Sequence, residues 1–174
     1  MQAYHFTKKK KNKSQKKQIC LRMDISIEKL NPGDIKKFSE LIRVFEQVFE
    51  MKNFTSPGEQ HLRQLLKRED FIVFVAVLND NVVGGLTAYV LQQYYSVSPL
   101  VYIYDLAVKT ELQRQGTGKL LIANLTSYCK NKGFEEAFVQ ADKADAHAIE
   151  FYRSTGAIEE QVVHFNYPLT GKKS

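Results

Sequence analysis

The stretch Val101–Lys132, VYIYDLAVKTELQRQGTGKLLIANLTSYCKNK, couples an apolar run to a long helical pattern through a polar turn. Val101 to Val108 reads as a buried strand whose only charged residue is Asp105. Gln113-Arg114-Gln115-Gly116-Thr117-Gly118-Lys119 then opens a helix with Leu121, Ile122, Leu125, Tyr128 and Cys129 on one face, stopping at Lys132-Gly133. A strand that feeds a glycine-bearing turn and a helix N-terminus is suited to holding phosphates. Free backbone N–H groups point out of the turn, and the positive end of the helix dipole adds to them. The spacing is neither the Gly-x-x-x-x-Gly-Lys-Ser/Thr of a P-loop nor the Gly-x-Gly-x-x-Gly of a dinucleotide fold.

Upstream, Ile25-Ser26-Ile27 alternates as a short strand, and Asn31-Pro32-Gly33-Asp34 turns into a helix. Ile35, Phe38, Leu41, Ile42, Phe45, Val48 and Phe49 recur at helical spacing, predicting an amphipathic helix to about Met51 with Glu46 and Glu50 on its exposed face. Ser56-Pro57-Gly58-Glu59 fits a capping box with proline at the first helical position, ahead of Leu62, Leu65 and Leu66. Phe71 to Leu78 is a buried strand, Asn79-Asp80-Asn81 a tight turn, and Val82 to Leu91 the antiparallel return. Gly84-Gly85 inside that return predicts a bend or a close approach of other backbone. Downstream lie a strand over Glu136 to Ala141, a helix from about Ala146 to Thr155 capped by Asp145 and closed by Gly156, and a last strand or strands over 157–167. This order predicts one α/β (α+β) domain.

The composition is that of a globular chain, with 44% hydrophobic and 25% charged residues among 174. No window approaches the roughly 18 apolar residues of a membrane span. The net charge of +6 is uneven. Eight of the 25 Lys and Arg fall in residues 1–22, which hold no acid, so the remaining 17 face 19 acidic groups and the body carries −2. Residues 1–22 are therefore expected to be a basic, disordered tail with no apolar stretch for a secretory signal, and 23–174 the folded domain, with Met23 a natural start. Nucleic acid is expected as a partner only through that tail. Cys20 and Cys129, with His5, His61, His147 and His164, make no ligand spacing, so no metal is expected, and the cysteine usage is compatible with the cytoplasm.

The strand, the Gln113-x-x-Gly116-x-Gly118 turn and helix, and the later Ala148-x-x-Phe151-Tyr152-x-x-x-Gly156 together resemble the GNAT superfamily of N-acetyltransferases. The resemblance spans residues 25–167. Within it the chain is most similar to the gentamicin-modifying aminoglycoside 3-N-acetyltransferases, through Tyr102–Val108, Arg114-Gln115-Gly116, Val139-Gln140-Ala141-Asp142 and Val163-His164-Phe165. It departs from them at Asn166, where that subfamily carries aspartate; one negative charge is thereby removed from the acceptor side.

The resemblance implies a mixed, mostly antiparallel central sheet, splayed at a bulge near Leu106–Val108 and flanked by helices. It implies acetyl-CoA as co-substrate, with its pyrophosphate over Gln113, Arg114, Gln115, Gly116, Thr117, Gly118 and Lys119. Its pantetheine arm would lie along Leu106, Ala107 and Val108, with the Leu106 N–H toward the thioester oxygen. Tyr152 occupies the position that protonates the departing thiolate. Asp105, whose burial demands a partner, is the candidate base or anchor for the acceptor amine. A core tyrosine on a helix face and a carboxylate satisfied by backbone donors are the structural alternatives for these two. Tyr104, Asp142 and Glu50, with Glu46, are further candidates to hold a polycation, although a solvated helix face explains the two glutamates equally well. The implied reaction is direct acetyl transfer to a primary amine, with the 3-amino group of an aminoglycoside favoured over a polyamine, another small amine or a protein lysine. A non-catalytic acyl-CoA-binding protein is the rival of another class. The resemblance allows a homodimer, since many relatives dimerise and an exposed C-terminal strand could pair with a partner; the sequence itself leaves the oligomeric state open.

Overall fold

The computed structural model describes residues 24–169, so the expected basic tail over 1–22 lies outside the described residues. Five strands form one sheet in the order β1-β2-β3-β4-β5: β1 Ser26–Lys29, β2 Phe71–Leu78, β3 Asn81–Leu91, β4 Leu100–Val108 and β5 Glu136–Val139. The first four pair antiparallel, and β5 joins β4 parallel. The helices are α1 Ile35–Val48, α2 Glu59–Leu66, α3 Thr117–Asn131 and α4 Ala146–Ser154.

Strand β2 is apolar throughout because both of its faces are covered. Phe71, Val73, Val75 and Val77 pack with Phe38, Leu41 and Phe45 of α1, whereas Ile72, Phe74 and Ala76 pack on the other face with Leu121 and Leu125 of α3. Each such side chain contributes about 1.5–3 kcal/mol when fully buried. The Gly84-Gly85 expectation resolves as close approach: a Cβ on Gly85 would stand 2.5 Å from the Phe74 carbonyl oxygen and 2.6 Å from a Leu41 methyl. The β2–β3 turn places Asn79 and Asp80 at positive φ, as a two-residue hairpin of the right twist requires.

Several boundaries differ from the sequence reading. Helix α1 stops at Val48, because Glu50 takes a φ of 51° and the Met51 N–H closes onto the Glu46 carbonyl. Glu50 thus sits in the turn beyond the helix and not on its face. Helix α2 has Gly58 as its N-cap with no side-chain cap, so Pro57 precedes the helix, and the Ser56 hydroxyl turns to the Pro57 carbonyl. Strand β5 ends at Val139, two residues early. No strand forms over 157–167, where the chain is exposed and pairs with no strand of the sheet.

The bulge lies earlier than Leu106–Val108. Thr87 pairs with Asp105 and Ala88 with Ile103, leaving Tyr104 as the extra residue of β4. The β4–β5 pairing runs from Leu100↔Glu136 to Ile103↔Val139 and stops there. Beyond the bulge, β4 therefore continues beside β3 alone, and the sheet opens on its other side.

Candidate functional site

The register of β3 and β4 decides which backbone groups face the opening. The Lys109 N–H donates to the Val83 carbonyl at 2.8 Å, and Ala107 and Asp105 follow at the two-residue period of an antiparallel ladder. Leu106 and Val108 consequently point their N–H and C=O groups away from β3, into the gap between β4 and β5. Gln113 uses one of them, its Nε2 donating to the Val108 carbonyl at 3.0 Å. That bond ties the turn to the end of the strand.

The gap widens into a cleft of about 600 Å³, in the range of small-ligand sites. Leu106, Ala107 and Val108 form one wall, the Gln113–Lys119 turn the floor, and α4 the opposite wall. At the turn, Arg114 has φ 58° and Gly116 φ 91°, and the first bond of the α3 ladder is Leu120 N–H to the Gly116 carbonyl at 3.0 Å. The N–H groups of Thr117, Gly118 and Lys119 accordingly have no backbone acceptor among the described residues, as at any helix start. Two left-handed residues bracketing Gln115 make a concave array of donors of the kind that holds anions. Arg114 and Lys119 line the same end of the cleft, and the Arg114 Nη2 lies 3.4 Å from the His147 Nδ1. The Thr117 hydroxyl is buried at the first position of the helix without a hydrogen-bond partner.

At the other end stand Asp105 and Tyr152. Pairing with Thr87 puts Asp105 on the α1/α2 side of the sheet, near the rim, half-buried. Burial pushes its carboxyl above the ordinary aspartate value, opposed by the Thr87 hydroxyl across the pair. Tyr152, on α4, has its phenol pushed up to about 12, first by burial and then by the charges of Asp105 and Asp145 and by Tyr102. The two groups are close enough to feel each other through the opened sheet. Asp145 holds the start of α4, its carboxylate accepting from the Ala148 N–H at 2.9 Å. Around the rim, rings meet in sequence: Phe71 with Tyr89 at 5.1 Å, Tyr89 with Tyr104 at 5.6 Å, Tyr104 with Tyr102 at 6.0 Å, and Tyr102 with Phe138 at 5.1 Å.

Of the residues singled out from sequence, Leu106, Ala107, Val108, Gln113, Arg114, Gly116, Gly118, Lys119 and Tyr152 line one cleft. Asp105 and Tyr104 do not line it; they sit at the bulge of β4, immediately before Leu106, with Tyr104 exposed. Gln115 does not line it and turns its side chain to the Glu111 carbonyl. Asp142 is exposed beyond the end of β5, where its carboxylate accepts from the Ala144 N–H at 2.8 Å. Glu50 is exposed two residues past Val48, which does reach the cleft. The sequence reading missed Val48, Leu112, His147 and Glu150 as lining residues; His147 lies on the exposed turn of α4, where no periodicity marks it.

Residues 38–157 match the family model described as Acetyltransferase (GNAT) family, on the very elements that build the cleft. The chain belongs to the GNAT family of acetyltransferases. Among solved structures, this acetyltransferase is 58% identical to the aminoglycoside acetyltransferase meta-AAC0020 from an uncultured soil metagenomic sample, determined in complex with sisomicin. That match covers 84% of this chain and 97% of the other, with a TM-score of 0.82. A second aminoglycoside acetyltransferase from an uncultured soil sample, HMB0005, is 32% identical over 85% of this acetyltransferase and 100% of its own chain, at a TM-score of 0.80. The aminoglycoside N-acetyltransferase AAC(6')-Iy, determined with CoA, shares the fold at 17% identity and a TM-score of 0.70, covering 84% and 95% of the two chains. No curated protein sequence matches this acetyltransferase. Among the described residues no helix is long and apolar enough to cross a membrane, and no group of three His, Cys, Asp or Glu side chains is placed to hold a metal.

Proposed function

We propose that this acetyltransferase uses acetyl-CoA to acetylate an aminoglycoside directly, at the 3-amino group, and so inactivates the antibiotic. The observation that carries the reading is the opened edge of β4. It sets the outward N–H of Leu106 between a donor-rich turn at one end and the Asp105–Tyr152 pair at the other. This is one continuous track for a long, anionic thioester, with proton-handling groups where its acyl end would stop. The 58% identity to a protein determined with sisomicin supports an aminoglycoside acceptor. The choice of the 3-amino group rests on the segments around Tyr102–Val108, Arg114–Gly116 and Val163–Phe165.

The residues present fit acetyl-CoA. Backbone donors at the start of α3, with Arg114 and Lys119, suit a pyrophosphate. The free N–H and C=O groups of Leu106 and Val108 suit the two amides of a pantetheine arm, which would extend the sheet as a strand does. When bound, acetyl-CoA supplies the activated acetyl group. Asp105 then holds the acceptor's ammonium at the rim and takes its proton, leaving a nucleophilic amine. The Leu106 N–H polarises the thioester oxygen as the nitrogen attacks the carbonyl carbon. The C–S bond breaks, and Tyr152, kept protonated by its raised pKa, gives its proton to sulfur and recovers one from the acceptor side. The described cysteine, Cys129, is buried with its thiol pushed up to about 11, which disfavours it as an acyl carrier.

A panel of sisomicin, gentamicin, spermidine and a lysine peptide, followed by release of free thiol, tests the reading. Thiol release with the two aminoglycosides and an acetyl group on the 3-nitrogen by NMR are expected. Release with spermidine or peptide alone would overturn the acceptor, and acetylation at another nitrogen would overturn the position.

A further inference from the structure

Three registered pairs set aromatic rings in one row across the sheet. Phe71 of β2 faces Tyr89 of β3, Tyr89 faces Tyr102 of β4, and Tyr102 faces Phe138 of β5. Facing residues of neighbouring strands share a side of the sheet, so all four rings lie on the α1 side with Phe71.

The row is not covered evenly. Phe71 belongs to the core beneath α1 and Tyr89 packs against it, whereas Tyr102, Tyr104 and Phe138 belong to neither core of the domain. These three rings hold one another instead. Tyr102 and Phe138 stack at 5.1 Å with 23° between their planes. Tyr104, the extra residue of the bulge, stands edge-on to Tyr102 at 6.0 Å and to Tyr89 at 5.6 Å, and is 59% exposed. The alternate residues Val101 and Ile103 are buried in the core beneath α3, so this part of β4 is firmly seated while its tyrosine face stays open.

Such a face suits a ligand with broad C–H surfaces and positive charge, because aromatic faces carry negative potential and attract ammonium groups. The row also adjoins an acid. Asp105 follows Tyr104 on β4, and its charge bears on the phenols of both Tyr89 and Tyr152. The nearby Asp70 is already taken by Arg68, which donates to its two oxygens at 2.8 and 2.6 Å. A cation on the rings therefore has Asp105 as its counter-charge.

We infer that Tyr102, Phe138 and Tyr104 form a stacking platform for the acceptor, on which a saturated, amino-bearing ring lies with its C–H face on Tyr102 and Phe138 and an ammonium group beside Tyr104. The inference rests on the aminoglycoside reading proposed above and names the contacts that select such a molecule. A linear amine has no ring face to lay on the platform, so the same surface disfavours it.

Calorimetry of sisomicin with the CoA-loaded parent, followed by thiol-release kinetics on variants, tests this. A parent that does not bind sisomicin overturns the aminoglycoside reading and this inference together. With a parent that binds and acetylates it, Tyr104→Leu and Phe138→Leu should each raise the KM for sisomicin roughly tenfold, the range of one sheltered cation–π contact. The larger part of the loss in kcat/KM should lie in KM, and the KM for acetyl-CoA should stay constant. Tyr104→Phe keeps the ring face and should keep the parent's KM. An unchanged sisomicin KM in either leucine variant overturns the platform and leaves the aminoglycoside reading standing. A rise in both KM values would mean that the rings act through the fold, and a Tyr104→Phe variant as impaired as Tyr104→Leu would assign the contact to the hydroxyl; either result also overturns it.

Discussion

The ring of Phe151 occupies the space that a side chain at Gly118 would need. A Cβ built on Gly118 would lie 2.9 Å from the Phe151 Cε2 and 3.1 Å from its Cζ. The contact locks α4 against the first turn of α3, and so sets the width of the cleft between β4 and α4.

Gly118→Ala should therefore destabilise the fold despite alanine's better helix propensity. Overpacking costs about 1–3 kcal/mol, against roughly 1 kcal/mol gained from propensity. A net loss of several degrees in Tm is expected, with a raised KM for acetyl-CoA as α4 moves. The double variant with Phe151→Leu should recover both. An unchanged Tm in the single variant would mean that the ring shifts freely.

Asp105→Asn should separate stability from activity. Burial raises the Asp105 carboxyl above its unfolded value of 3.8, so the folded state binds more protons between the two values and stability falls as pH rises through that window. Asparagine avoids this loss. The variant should be more stable than the parent at neutral pH, with the gap closing below the unfolded value, while turnover drops on the order of 100-fold or more. Urea titrations at the two pH values and thiol-release kinetics read both effects. A destabilised Asp105→Asn with full activity would assign the carboxylate to structure.

Tyr152→Phe should slow turnover by roughly 100-fold and leave acetyl-CoA affinity nearly unchanged, more severely for poorer acceptors. In the parent, raising the phenol from 10.0 to about 12 keeps it protonated, so no basic limb assignable to Tyr152 should appear in the rate profile below that range. The same shift costs stability as pH rises from 10.0 toward about 12, a loss that the phenylalanine variant should escape in alkaline denaturation. Equal turnover in the variant would leave Tyr152 a packing residue.

Arg114→Gly should cost binding without costing the fold. Arg114 holds φ 58°, a left-handed conformation that penalises a side chain by roughly 1–2 kcal/mol, and glycine relieves it at a similar entropic cost. The Tm should stay nearly constant while calorimetry shows acetyl-CoA binding weakened about tenfold, the range of one lost charge-assisted contact. Unchanged affinity would remove Arg114 from the phosphate site.

Local sequence determined the elements whose cause is local. Alternation and apolar runs placed β2, β3 and β4, helical periodicity placed α1 and α3, and Asp145 with Gly156 framed α4, because capping and side-chain period act within a few residues. The turn at Gln113–Lys119 was legible for the same reason. The tertiary structure decided what depends on pairing between distant segments. The bulge sits at Tyr104 because β3 offers Ala88 to Ile103 and Thr87 to Asp105, a register that β4 does not carry in itself. The parting of β4 from β5 after Ile103 and Val139 likewise comes from the parallel pairing, and it is this parting that turns the Leu106 N–H toward a cleft. The strand expected over 157–167 shows the same limit from the other side. Its sequence specifies a chain able to pair, but a strand exists only where an edge lies beside it to take its hydrogen bonds.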